Sequence, residues 1–307
     1  MKRRAFVKGG LSMGALAATT PAALAQAEKE SVKDQPTFNM KYAPHLGMFK
    51  HHAGEDPISQ LTFMAEQGFK AFEDNGMPGR EVSLQKKMGD TLARHGMEMG
   101  VFVAHKITWD KPTLTSGKQG FRDAFLADIK NSVEVAKRCG AKWMTVVPGH
   151  VDLRVDMGYQ TAHVVESLKQ ASAILEPHDL VMVLEPLNFY NHPGLFLTKI
   201  PQAYEVCKAV DSPACKILDD LYHQQIQEGN LIPNIDLAYE EIAYFQIGDN
   251  PGRKEPTTGE INYKNVFKHI HAKGFKGILG MEHGNFHKGK EGEQKLIAAY
   301  QEVDSFL

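Results

Sequence analysis

Four apolar runs late in the chain each end on side chains that offer oxygen atoms, and this recurrence constrains the fold more than any other feature. The first is LVMVLEPLN at residues 180–188. Five apolar residues stop at Glu185, and Pro186, which has no N–H, bars further strand pairing. A run so short and unbroken reads as a strand of a parallel sheet, covered on both faces. Charge is tolerable on such a strand only where it leaves the sheet. CKILDD ends on Asp219 and Asp220, IAYFQIGD carries Gln246 and Asp249, and GILGME ends on Glu282. The steps from Glu185 to Asp220, Gln246 and Glu282 are 35, 26 and 36 residues, close to one strand–helix–strand unit each.

The rest of the chain alternates in the same way. Strands are expected at 42–48, 69–72, 98–104, 142–147, 181–185, 215–220, 242–247 and 277–282. Helices are expected between them at 57–67, 80–94, 121–138, 161–174, 201–210, 235–240 and 263–273, and 293–305 closes the chain. Gly68, Gly96, Gly140 and Gly274 stand where helices should stop. Eight such units with no sizeable antiparallel section imply a parallel sheet, and their length is that of a (β/α)8 TIM barrel. A doubly wound open sheet uses the same alternation, but no G-x-G-x-x-G follows the first strand. In a barrel, ligands bind at the C-terminal strand ends, where the acids fall.

The N-terminus reads as an address rather than as barrel. MKRRAFVKGG and the weakly apolar, Ala-rich run after it describe an export signal over 1–27, with cleavage after Ala25 or Ala27. Arg3-Arg4 before Ala5-Phe6-Val7-Lys8 resembles the twin-arginine subtype, so a periplasmic location is expected, with a metal already loaded in the cytoplasm. A membrane anchor needs about 20 strongly apolar residues, so no membrane contact is expected after cleavage. Residues 28–40 read as a charged linker and 41–307 as the catalytic barrel.

The three cysteines form no C-x-x-C and read as small buried hydrophobes. Thirty-five basic residues against 37 acidic ones give a net charge of −2, which argues against nucleic acid as a partner. A small molecule is the expected partner, with a homo-oligomer left open.

Three carboxylates converging in a mostly apolar mouth repel one another unless a cation lies among them. Carboxylate, amide carbonyl and water suit Mg²⁺ or Mn²⁺ better than a softer metal, so one divalent ion is the expected cofactor. His223, three residues after Asp220, is placed to bond a substrate oxygen. Arg253 in IGDNPGRKEP has a planar fork suited to carboxylate or phosphate; its competing reading is a surface pair with Glu255 or Glu260. His105, His150, His192 and His283 read as hydrogen-bonded loop residues outside the metal set. His51, His52, His269 and His271 read as surface residues, Lys254 as solvated, and Trp109 and Phe189 as apolar wall or core.

KYAPHLGMF, AEQGFKAFEDN, LEPLN followed by HPGLFL, DLYHQQ-x-x-EGNLI, YFQIGDNPGRKEP-x-TGEINY and MEHG together carry a resemblance. From Lys41 onward the chain is similar to the hydroxypyruvate isomerase family, within the xylose-isomerase-like TIM barrels of sugar isomerases and epimerases. The resemblance implies metal ligands at Glu185, Asp220, Gln246 and Glu282, with Glu185 and Glu282 also the acid–base pair. Thr257 departs from the family's EPGTGEINY, and an export signal is unusual for enzymes of central metabolism.

The chemistry so implied is proton removal beside a carbonyl, through an enediolate that the metal stabilises. Hydroxypyruvate would give tartronate semialdehyde. Return of the proton to the same carbon would instead make the protein a ketose epimerase. DNA-repair endonucleases of this barrel type need more histidine ligands and a basic surface. A non-catalytic periplasmic sugar-acid binding protein would not need both Glu185 and Glu282.

Overall fold

The computed structural model describes residues 38–307, so the expected signal (1–27) and the linker up to residue 37 lie outside the described residues. Eight strands follow in order: β1 (Lys41–Ala43), β2 (Ala71–Phe72), β3 (Glu98–Met99), β4 (Trp143–Val146), β5 (Val181–Leu184), β6 (Cys215–Asp220), β7 (Ile242–Gln246) and β8 (Ile278–Gly280). Strands β1-β8-β7-β6-β5-β4 form one parallel ladder and β2-β3 a second. Backbone bonds close the gaps between them. The Glu73 N–H donates to the Pro44 carbonyl (3.1 Å), and the Thr145 N–H donates to that of Phe102 (2.8 Å). The strands thus curl into the expected (β/α)8 barrel.

Helices cover the outside: α1 (Lys50–Ala53), α2 (Pro57–Glu66), α3 (Val82–Arg94), α4 (Gln119–Cys139), α5 (Met157–Leu175), α6 (Ile200–Val210), α7 (Leu221–Gln227), α8 (Leu231–Ala238), α9 (Tyr263–Ala272) and α10 (Gly289–Asp304). Asp56, Asp156 and Asn262 start α2, α5 and α9 by accepting orphan backbone N–H groups. The short α1 and α7 are additions to the expected set, and α8 begins four residues before the helix expected at 235–240. β1 stops at Ala43 rather than running to 48, because Pro44 cannot extend the ladder. β3 was expected over 98–104 but is regular only to Met99. The Tyr244 hydroxyl closes on Gly100 there, 2.3 Å from where a Cβ would sit, and pairing resumes at Val103 opposite Thr145.

The pleat then decides which strand-end residues enter the barrel. Ala43, Ala71, Val101, Val183, Leu218, Tyr244 and Ile278 pack together inside it. Their neighbours Met182, Leu184, Ile217, Phe245 and Leu279 pack outward in the layer under the helices. Each buried aliphatic side chain is worth about 1.5–3 kcal/mol, so a slip of one residue is strongly disfavoured. Two residues on from Val183, Leu218 and Tyr244 stand Glu185, Asp220 and Gln246, and four on from Ile278 stands Glu282. At the other end of the chain, the last residues of the stretch read as linker already belong to the fold. Phe38 stacks 5.1 Å from Phe69, Met40 is buried, and the Asn39 N–H donates to the Asp304 carboxylate at 2.5 Å.

Candidate active site

Sheet register brings the expected residues together. Asp220 lies opposite Gln246, and Gln246 opposite Gly280, two residues before Glu282. Asp220 also caps α7. Its Oδ1 accepts the N–H groups of Tyr222 (2.9 Å) and His223 (3.4 Å), which leaves Oδ2 facing the mouth. Asp219 sits on the opposite face of β6, fully buried and 3.1 Å from the Gln224 amide. Asp249 accepts N–H groups from Asn250, Gly259 and Ile261 and staples its own loop. These two acids, candidates by sequence, serve the fold.

One oxygen each from Glu185 and Asp220 and a ring nitrogen of His223 lie within 4.8 Å of one another. Arg253 enters the same space. Its Nη2 lies 2.7 Å from Asp220 Oδ2 and 2.6 Å from Glu282 Oε2, and its guanidinium packs 4.9 Å above the Tyr222 ring. It pairs with neither Glu255 nor Glu260. Burial, and then the Glu282 and Asp220 charges, push the Glu185 carboxyl well above its usual range. Glu282, whose side chain keeps 26% exposure, is raised to about 7 by burial, with Arg253 opposing. Burial disfavours the Arg253 charge, but Asp220, Glu282 and Glu185 outweigh it and raise its pKa. Buried Glu73, raised by burial and then by Glu282, adds a fourth carboxyl to a group of which Arg253 pairs with only Asp220 and Glu282.

Glu73 was legible in the sequence only as another strand-end acid. It lies buried just past the end of β2, where its carboxylate accepts the Tyr244 hydroxyl (3.0 Å) and faces Gln246 Nε2 at 3.4 Å. A Cβ on Gly280 would come within 1.9 Å of Glu73 Oε2, so a glycine is required for this crossing. The Gln246 amide is thereby turned with Oε1 away from Glu73, buried and without a partner. That orphaned acceptor beside acceptor-only carboxylates fits a hard divalent cation.

His223 is oriented differently. Its Nδ1 takes the Asn188 backbone N–H (3.2 Å), so the neutral ring carries its proton on Nε2. Nε2 lies 3.5 Å from Asp220 Oδ2 and 4.0 Å from Glu185 Oε1, buried and without a hydrogen bond. Burial holds this ring's pKa down at about 4 against the pull of Asp220. A neutral ring in that tautomer donates into the site and has no lone pair for a metal.

His105 and His283 have partners outside the carboxylate group. His105 accepts the Val147 N–H (3.3 Å), and His283 Nε2 lies 2.7 Å from the Tyr300 hydroxyl. His52, expected at the surface, instead packs its Nδ1 2.5 Å from buried Glu293. Trp109 and Phe189 are not core: both are about half exposed, and Trp109 stacks on His192, which in turn lies 5.5 Å from His223.

Residues 61–302 match the family described as xylose isomerase-like TIM barrel. Hydroxypyruvate isomerase of Escherichia coli (strain K12) is 34% identical over 166 residues, covering 54% of this chain and 63% of that protein. The match thus spans less than two thirds of that relative's length. Putative hydroxypyruvate isomerase of Drosophila melanogaster is 33% identical over 249 residues, 80% of this chain and 92% of that protein. The crystal structure of AP endonuclease, family 2, from Brucella melitensis superposes with a TM-score of 0.71 at 24% identity, covering 82% of this chain and 96% of that one. This last likeness is one of fold.

Proposed function

The chain belongs to the xylose isomerase-like TIM barrels and, within them, to the hydroxypyruvate isomerase family; from that premise we propose a divalent-metal-dependent isomerase of a small α-hydroxycarbonyl acid. Conversion of hydroxypyruvate to tartronate semialdehyde is the reaction that suits the site best. The observation that carries this reading is the convergence of Glu185, Asp220, Gln246 and Glu282 at four adjacent strand ends, with more buried carboxyls than Arg253 can neutralise.

These four residues would hold the ion, and their oxygen donors favour Mg²⁺ or Mn²⁺. When bound, it supplies Lewis-acid polarisation of the substrate carbonyl. Glu185 and Glu282 leave β5 and β8, so they reach the mouth from sides separated by β6 and β7. One removes the proton from C3 of hydroxypyruvate, and the other manages its delivery to C2. A carboxylate beside the reacting carbons can both take and return a proton. The His223 Nε2–H donates to a substrate oxygen. Arg253 Nη1 and its buried Nε make no hydrogen bond among the described residues, so the fork keeps donors for the substrate carboxylate.

The test is proton NMR of hydroxypyruvate in D₂O with the protein and Mg²⁺ or Mn²⁺. Exchange at C3 together with tartronate semialdehyde is the expected result. Deuterium returned to the same carbon of a ketose would mark an epimerase, and no exchange on any small α-hydroxycarbonyl would sink the reading. Export by the twin-arginine route is proposed from Arg3-Arg4 and the Ala-rich run alone. Arg3→Lys with Arg4→Lys should hold the precursor in the cytoplasm, and unchanged delivery would point to the general secretory route.

A further inference from the structure

A second cavity adjoins the candidate active site and takes no part in the chemistry above. His45 and Leu46 line a pocket of about 260 Å³ that contains Glu73, Asn75 and Glu282. The same two residues also line a larger cavity of about 520 Å³ on the other side. The larger one lies between the segment after β1 and the segment after β8. These two loops are tied together by Asn285 Nδ2, which donates to the Met48 carbonyl at 2.8 Å.

The two cavities carry opposite charge. The smaller holds Glu73, Asp74 and Glu282, with Arg80. The larger is lined by Lys50, His51, His287 and Lys288, and by no carboxylate. None of these four side chains makes a hydrogen bond or ion pair among the described residues, so no acid of the fold explains them. The nearby acids are engaged elsewhere. Glu291 pairs with Lys295 at 2.8 Å, and Glu293 accepts the backbone N–H groups of His51 and His52 besides the His52 ring. The N-terminus of the sixteen-residue α10 adds its positive end, with Gly289 in the cavity wall.

We infer that this cavity is a subsite for the anionic far end of a longer-chain α-hydroxycarbonyl substrate, one that ends in phosphate or carboxylate. The reacting end would lie among Glu185, Asp220 and Glu282, and the chain would pass His45 and Leu46. The inference takes the identity of the reacting end from the isomerase reading, but the anion site does not depend on it.

Calorimetric titration of the full chain with D-ribulose 5-phosphate, D-ribulose and inorganic phosphate, alongside a turnover assay, tests this. The wild type should bind the ketose phosphate about tenfold or more tightly than the free ketose, the worth of one charge-assisted hydrogen bond. Lys50→Gln with Lys288→Gln should erase that advantage. Both lysines are exposed and unpaired, so the melting temperature should hold; should the double variant melt early, each single variant should lose part of the advantage. Equal affinity for ketose and ketose phosphate, or an advantage that survives the substitutions, would overturn the subsite. Binding of inorganic phosphate without any advantage for the ketose phosphate would likewise overturn it, making the cavity a separate anion site. An advantage without turnover of any substrate would uphold the subsite and remove the isomerase reading.

Discussion

β6 and β7 run six and five residues and, after one register shift between Ile217 and Leu218, pair continuously from Leu218 opposite Tyr244 to Asp220 opposite Gln246, whereas β2 and β3 have two residues each and pair over two. The longer pair delivers Asp220 opposite Gln246. The shorter pair is followed by Glu73 and Asn75, which reach the mouth through other side chains: Glu73 faces Gln246 Nε2, and the Asn75 amide donates to Glu282 Oε1 at 2.9 Å. A well-registered strand fixes where a side chain emerges, so residues that must share one ligand come from that half. The irregular half can lend only orientation. Substitutions on the two halves should therefore fail differently.

The largest effect is expected on the regular half. Glu185→Gln keeps shape and volume but removes a base, so kcat should fall by about 10²–10⁴-fold with the melting temperature nearly unchanged. Steady-state kinetics with circular dichroism checks both. On the irregular half, Glu73→Gln presents an amide to Gln246 and frees it to turn. Manganese affinity, read by calorimetry, should weaken by about 10–100-fold, as for other residues that orient a ligand. Unchanged affinity would reduce Glu73 to a packing partner of Tyr244.

Arg253 also belongs to the regular half, touching Asp220 and Glu282 from the loop after β7. Arg253→Lys keeps the charge and loses the fork. The cost on hydroxypyruvate should be about ten- to a hundredfold in kcat/KM, and clearly smaller on a neutral ketose. Equal losses on both would leave Arg253 as the countercharge of the carboxylates alone.

The smallest effect is on stability against pH. In the metal-free protein Glu73, Glu185, Glu282 and, on β6, Asp219 are all raised above their unfolded values by burial first, Glu282 to about 7. The folded state therefore holds more protons than the unfolded one, and the stability these groups provide at low pH is lost as pH rises through their folded values. His105, His223 and His283, depressed by burial to about 4, about 4 and about 3, act in the opposite sense up to about pH 6.5. Above that pH the carboxyls act alone. Melting should fall by a few degrees between about pH 6.5 and 8, and Mn²⁺ should restore it by an amount that grows with pH. A flat profile would mean that these carboxyls titrate normally.

Much of this was legible in the chain because strand ends are abrupt. The apolar run before Glu185 and the spacing to Asp220, Gln246 and Glu282 pointed to strand ends that the sheet does bring together. Choosing Asp220 over Asp219, and setting aside Asp249, needed the pleat: period two separates them only once Leu218 and Tyr244 are known to point inward. The resemblance had favoured the same residues. Glu73 was hidden because its partners, Tyr244 and Gln246, lie more than 170 positions away. The tautomer of His223 depends on the Asn188 backbone, 35 residues distant, and no local pattern encodes that contact. β3 was read too long because Gly100 looked like part of a strand, when it makes room for Tyr244. His52 was misread because Glu293, its partner, is 241 residues on.

On the isomerase reading, the four strand ends of the regular half hold one divalent ion. Titration of the metal-free full chain with Mn²⁺, followed by electron paramagnetic resonance, counts that ion directly. One Mn²⁺ per chain is expected in the wild type, with binding strongly weakened in Glu185→Gln and in Glu282→Gln while both remain folded. A wild type that binds no Mn²⁺, or variants that bind it as tightly as the wild type, would contradict it.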